Sequence, residues 1–188
     1  AVCRGTDGIE QVVLTTNGHN LEKMAPRWKT AGLDGINLSI DSLDRQIFRS
    51  ITGRDHLPRV LAGLDKAREV GFTRLKVNAV LLRHFNWQQF DHFLDLVKAL
   101  PITARFIELM ETGDNATFFR ENRVLGSELL ARLQAGGWLE IPRDALAGPA
   151  REFHHPQYAG RIGLIMPYAK DFCRSCNRLR VSARGQLH

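Results

Sequence analysis

The sequence predicts an α/β fold in which parallel strands and crossover helices curl into part of a TIM-type barrel. Two observations predict it, and the length limits it. Up to about residue 110, short β-rich runs alternate with apolar stripes of helical period. That order implies parallel strands joined by crossover helices. Polar residues also sit on the strands at shared parity: Asn37, Ser39 and Asp41 in one, Lys76 and Asn78 in the next. Side chains alternate faces along a strand, so each set points one way and implies a wet, ligand-holding lumen. Four such units in 188 residues cannot close an eight-stranded barrel, which takes about 250.

The elements follow in order. Residues 11–16 form the first run, and Leu21, Met24, Ala25, Trp28 and Ala31 one face of the next helix. Pro26 predicts a kink or a fresh start in that helix, and Gly32 a stop. After the second run, 36–40, Asp44 caps a short helix carrying Ile47, Phe48 and Ile51. A longer helix follows Pro58, with Val60, Leu61, Leu64, Ala67 and Val70 inward and Gly71 at its end. After the third run, 75–82, Asn86 and Gln89 resemble a capping box. The helix behind them buries Phe90, Phe93, Leu94, Val97 and Leu100, and 103–109 is the fourth run. Beyond Met110 the pattern changes. Residues 111–123 read as loop with some helix, Ser127 as the cap of a helix reaching Leu133, and 162–166 and 178–182 as extended chain. Ala183, Arg184 and Gly185 read as a hairpin turn with three residues after it, an arm so short that the sequence is expected to be truncated.

Composition excludes several classes. With 44% hydrophobic residues and a net charge of +6, the chain is neither disordered nor low-complexity. No stretch approaches the roughly 18 apolar residues of a membrane span, and the start lacks the pattern of a signal peptide. The net charge of +6 favours anionic partners, nucleotide or nucleic acid, without choosing between them, and the expected setting is cytoplasmic. Three cysteines cannot build a disulfide framework.

Chemistry concentrates late in the chain. Cys173 and Cys176 are spaced to converge on one metal ion, and Arg174 and Arg178 favour the thiolate that binds it. Two surface thiols at that spacing are the plainer reading. Arg178 and Arg180 share a parity and form either an anion clamp or a solvated basic strand. Thr15, Thr16, Asn17 and Gly18 end the first strand, where ligands bind in parallel sheets, although Asn and Gly also make an ordinary turn. Lys76 on an inner face must pair with an anion, snorkel outwards, or act as a Schiff-base nucleophile. Met110 is more often core than ligand contact. Arg105 and Glu108 have opposite parity and cannot both line the lumen. Neither GxxxxGK[ST] nor GxGxxG occurs.

The stretches 14–18 (LTTNG), 31–43 (AGLDGINLSIDSL), 51–54 (ITGR), 76–78 (KVN), 105–113 (RFIELMETG), 163–167 (GLIMP) and 171–180 (DFCRSCNRLR) resemble the GTP 3′,8-cyclases of molybdenum cofactor biosynthesis. These are radical S-adenosylmethionine enzymes. The resemblance implies a partial (βα)6 barrel, with about four of six units present in residues 1–112. Residues 113–188 would be an extension carrying part of an auxiliary iron–sulfur and GTP site. It implies S-adenosylmethionine and two [4Fe-4S] clusters as cofactors. As partners it implies GTP, S-adenosylmethionine, a reductant protein, a second copy of the chain and the downstream cyclic pyranopterin monophosphate synthase, with no membrane or nucleic acid.

Residue by residue, the resemblance assigns Cys173 and Cys176 to the auxiliary cluster. It assigns Thr15, Lys76, Arg178, Leu179 and Arg180 to GTP, and Ser39 and Met110 to S-adenosylmethionine. The CxxxCxxC motif of the radical-generating cluster does not occur in the sequence, so an inactive fragment is expected. Alternatives are a metal-containing nucleotide- or RNA-binding module and a Schiff-base aldolase-like barrel using Lys76. An unpaired edge on the first strand is expected to promote aggregation.

Overall fold

A computed structural model describes residues 2–143, 148–170, 172 and 179–187. Among these, β1 (Val13–Thr16), β2 (Gly35–Ser39), β3 (Arg74–Leu81) and β4 (Thr103–Glu108) lie side by side in chain order, all parallel. The fifth parallel strand, β7 (Arg161–Ile165), pairs with β4. Two short antiparallel strands, β6 (Arg151–His154) and β5 (Leu139–Ile141), extend the sheet beyond it. The order is therefore β1-β2-β3-β4-β7-β6-β5. A doubly wound sheet reverses direction at a switch point and carries helices on both faces. This sheet runs monotonically from β1 to β4, with one apolar face, so the part-barrel expectation holds.

The helices cover that apolar face. They are α1 (Leu21–Thr30), α2 (Arg45–Thr52), α3 (Leu57–Glu69), α4 (Phe90–Ala99), α5 (Ala116–Asn122) and α6 (Gly126–Ala135). One hydrophobic cluster runs through the layer. It joins Ile36, Leu38, Leu75, Val77, Ala104, Phe106, Ile162 and Leu164 on the strands to Leu21, Val60, Leu64, Phe90, Phe93 and Leu129 on the helices. Burial alternates along β3 from exposed Arg74 to buried Leu81, as a sheet covered on one side requires.

Local chemistry explains the helix ends. Asp44 Oδ1 accepts from the Gln46 and Ile47 amides and caps α2 as expected. Gly32 and Gly71 sit at φ 87° and 86°, and each follows a helix whose last carbonyls are met in the Schellman pattern, Leu33 N–H to Trp28 O and Phe72 N–H to Ala67 O. Pro26 lies inside α1, which stays one continuous helix rather than restarting.

Other expectations are corrected. Asn86 precedes the short 3-10 turn Trp87–Gln89, but its side chain makes no cap bond. It is buried, accepts from the Leu82 amide and donates to the Asp41 and Val80 carbonyls, tying the ends of β2 and β3 together. Its proposed partner Gln89 instead accepts from Ser42 Oγ. Ser127 is not the cap of α6. Leu125 holds that position, and its N–H donates to Glu128 Oε1. The tail turn is present, with Ser182 N–H donating to Gln186 O and Val181 bridging Leu187. No helix among the described residues is long and apolar enough to cross a membrane.

Candidate functional site

The face opposite the helices is polar, and strand register shows why. Thr15, Asn37, Lys76, Thr103 and Arg161 are neighbours across β1, β2, β3, β4 and β7 and form one row. The next row towards the C-terminal ends of the strands is Ser39, Asn78, Arg105 and Gly163. Register partners project to the same side, so both rows face the lumen. Sequence parity thus located the lumen correctly.

The two rows are cross-linked. Asn37 donates to Thr15 Oγ1 and accepts from Arg105 Nη2 at 2.8 Å, while Arg105 Nε donates to Asn78 Oδ1, also at 2.8 Å. Arg105 is only 8% exposed, yet it faces the lumen. A cation so buried must be held by oriented polar groups, and the two carboxamides provide them. Gly163 makes room for it, because a Cβ there would lie 2.7 Å from Arg105 Cγ. Sequence reading left Arg105 without a role. Its parity with Thr103 and the neighbouring glycine were the available signals.

Lys76 has the anion that an inner-face lysine requires. Its Nζ donates to Glu152 Oε1 at 2.8 Å, and Arg161 Nη1 lies 3.6 Å from Glu152 Oε2. Glu152 went unnoticed in the sequence because it comes from β6, 76 residues away. These three side chains, with Asn37, Arg74 and Thr103, line a cavity of about 460 Å³ at the N-terminal ends of the strands. A second cavity of about 370 Å³ adjoins it, sharing Glu152 and Arg161 and bounded by Met166, Lys170 and Phe172.

At the other end of the strands, Ser39 is exposed at the tip of β2. Asp41 follows it. Burial pushes its carboxyl up, against the opposing hydrogen bond from the Val80 amide. Met110 is 53% exposed, so it does not belong to the core, contrary to the plainer expectation. Its carbonyl accepts from Asn115 Nδ2, and the following Glu111 N–H donates to the Tyr168 hydroxyl, fixing the peptide between them. The Thr16–Gly18 turn is held by its own side chains, as the Gly18 amide donates to Thr16 Oγ1 and the His19 amide to Asn17 Oδ1. Thr15 stays exposed on the lumen row.

Glu108 points the other way, as parity required. It is buried on the helix side and accepts from Arg123 Nε and Nη2 at 3.0 and 2.7 Å. Arg123 lies over the rings of Phe119 and Tyr168. No sequence period signals a pair formed between a strand and a distant loop.

The remaining assignments fall at the edge of the description. Cys173, Cys176 and Arg178 lie outside the described residues, while Leu179 and Arg180 are exposed. Cys3 is exposed and lies beside Trp28 and Gly32, near the start of β2. Among the described residues, no three His, Cys, Asp or Glu side chains converge as a metal site.

Two family models match, and together they span nearly all of the chain. The Radical SAM superfamily covers residues 2–97, ending in the last turn of α4, and Molybdenum Cofactor Synthesis C covers 102–188, starting just before β4. The parallel part-barrel with a polar lumen and the succession of these two matches lead to one assignment: the chain belongs to the radical SAM superfamily, among its molybdenum cofactor synthesis proteins.

Proposed function

We propose that this chain forms the wall of the chamber in which GTP is converted to 3′,8-cyclo-7,8-dihydroguanosine 5′-triphosphate. The observation that carries the reading is the row through Thr15, Asn37 and Lys76. Two of the five positions that the family resemblance gives to GTP, Thr15 and Lys76, lie in one register row of the lumen, with Arg161 at its far end. A triphosphate needs several cations, and no P-loop is present to supply backbone amides. Lys76, Arg161 and the adjacent Arg105 put three cations on one concave face.

On this reading each end of the lumen has a task. Ser39 and Met110, at the C-terminal ends of β2 and β4, are assigned to S-adenosylmethionine, the co-substrate that radical SAM membership implies. The Glu111–Tyr168 hydrogen bond would orient the Met110 peptide towards it. Thr15 and Lys76, one row closer to the N-terminal ends, would hold GTP. Cys173 and Cys176 would supply two thiolates of an auxiliary [4Fe-4S] cluster beside the Leu179–Arg180 segment. Bound there, such a cluster would offer an iron not held by thiolate to the nucleotide base. On this reading residues 1–112 form most of the barrel wall, and 113–188 add β7 to it and carry the auxiliary site.

Family membership also implies a radical-generating [4Fe-4S] cluster. Its ligands are three thiolates, and Cys3, the one cysteine among the described residues, is exposed with no second or third beside it. The described residues do not fit that group. What they contribute is binding, orientation and exclusion of water. A Schiff-base role for Lys76 would need a free neutral amine, whereas its Nζ is engaged by Glu152.

Equilibrium binding of labelled GTP to the chain, with unlabelled ATP and guanosine as competitors, tests the reading. GTP should bind, and both competitors should displace it poorly. Equal displacement by ATP would remove the guanine preference on which the proposal depends.

A further inference from the structure

The charged side chains that the described strands direct into the lumen are basic, with a single exception. Register places Arg74, Lys76, Arg105 and Arg161 on that face. Glu152, opposite Gly163 in the β6–β7 ladder, is the one carboxylate that these strands add to it. It engages two of the four cations, Lys76 at 2.8 Å and Arg161 at 3.6 Å. All three side chains line the cavity of about 460 Å³. The pair is open to water, with the Lys76 side chain 34% exposed and that of Glu152 23%. Ion pairs this accessible gain little net free energy and exchange partners readily. An anion placed inside an anion-binding chamber opposes the ligand it is built to receive, unless it has a task when that ligand is absent.

We propose that Glu152 is a built-in counter-ion for the phosphate site: it holds Lys76 and Arg161 while the lumen lacks an anionic ligand and yields them when a polyphosphate enters. The proposal rests on the reading of Lys76 as a phosphate-binding residue. Lys76 and Arg161, with Arg74 in the same cavity, would repel one another without a counter-charge and capture any small anion. With Glu152 in place, an incoming ligand must displace a carboxylate already seated on the cations. A single phosphate replaces that carboxylate with little gain. A triphosphate reaches Lys76, Arg161 and Arg74, which line the same cavity, together and outcompetes it. Glu152 therefore sets the charge a ligand must bring, which makes it a specificity-determining residue outside the reacting atoms. A plain structural brace between β6 and β3 would behave differently, since its removal would loosen the fold and leave anion affinity unchanged or weaker.

The test is calorimetric titration of inorganic triphosphate into the full chain, comparing the native sequence with Glu152→Gln, Glu152→Ala and Glu152→Asp, at low salt and at high salt. Both neutral variants should bind triphosphate about 5–10-fold more tightly at low salt, and salt should shrink that gain because exposed charges are screened. Glu152→Asp should stay close to the native affinity. Equal or weaker binding by both neutral variants, or no triphosphate binding by any chain, would overturn the proposal. GTP titrated in parallel separates the two readings. A chain that binds triphosphate as described but gains nothing from the guanosine would retain the counter-ion and refute the proposed function.

Discussion

The two faces of one sheet are chemically opposite, although they are built from alternate residues of the same strands. On β3, Leu75, Val77, Ala79 and Leu81 are buried against helices, while Arg74, Lys76, Asn78 and Val80 turn to the lumen. On β4, Phe106 packs edge-on against Phe90 and Phe93 at 5.0 and 5.2 Å, while its neighbour Arg105 reaches across β3 to Asn37. The contrast teaches that stability and binding are separated by a single step along the chain. The helix side supplies the apolar burial that holds the fold. The lumen side is left to polar groups, whose contacts with water or ligand contribute little to folding.

That separation can be broken most severely on the helix side. Phe106→Ala should cost about 3–5 kcal/mol, because a fully buried ring leaves a cavity among two others. Chemical denaturation measures it, and a loss below about 1 kcal/mol would mean that this face is not the core. Glu108→Gln should cost less, about 2–3 kcal/mol, since Arg123 loses its charged partner but keeps an acceptor. A variant as stable as the native chain would show that the pair is not needed to fix the loop after β4.

The smallest effect is pH-dependent and lies between the two faces. Burial raises the Asp41 carboxyl above its ordinary value of 3.8, so the fold favours its protonated form. Its contribution to stability is then fully present below that value and is lost as pH rises through the folded-state value. Asp41→Asn should therefore gain stability relative to the native chain as pH rises from about 4 towards neutrality. Thermal melts across that range check the sign, and an Asp41→Asn variant that loses stability relative to the native chain as pH rises would contradict it.

Much of this was legible in the sequence, because it depends on local period. The parity of Asn37, Lys76 and Asn78 gave the lumen face, and the apolar spacing gave α1, α3 and α4. Asp44 announced its cap. Sequence did not reveal what long-range pairing decides. Glu152 comes to Lys76 from a four-residue strand that shows no clear alternation, and β5 is shorter still. Asn86 was mistaken for a cap because its spacing to Gln89 imitates one, while its true partners are carbonyls at the ends of two strands. For Met110 the residue type by itself favours the core, while the family resemblance gives it to S-adenosylmethionine; it follows the end of β4, where the helices no longer cover the chain.

Two adjacent residues provide the most direct test of the central claim that the lumen row binds GTP while the face behind it holds the fold. Lys76→Gln and Val77→Ala should be compared in GTP affinity and thermal midpoint. The account predicts that Lys76→Gln weakens GTP binding at least about tenfold with little change in midpoint, as expected for losing a charged contact to phosphate. Val77→Ala should lose about 2 kcal/mol of stability and keep its affinity. A Lys76→Gln chain that binds GTP as well as the native one, or that melts like Val77→Ala, would contradict it.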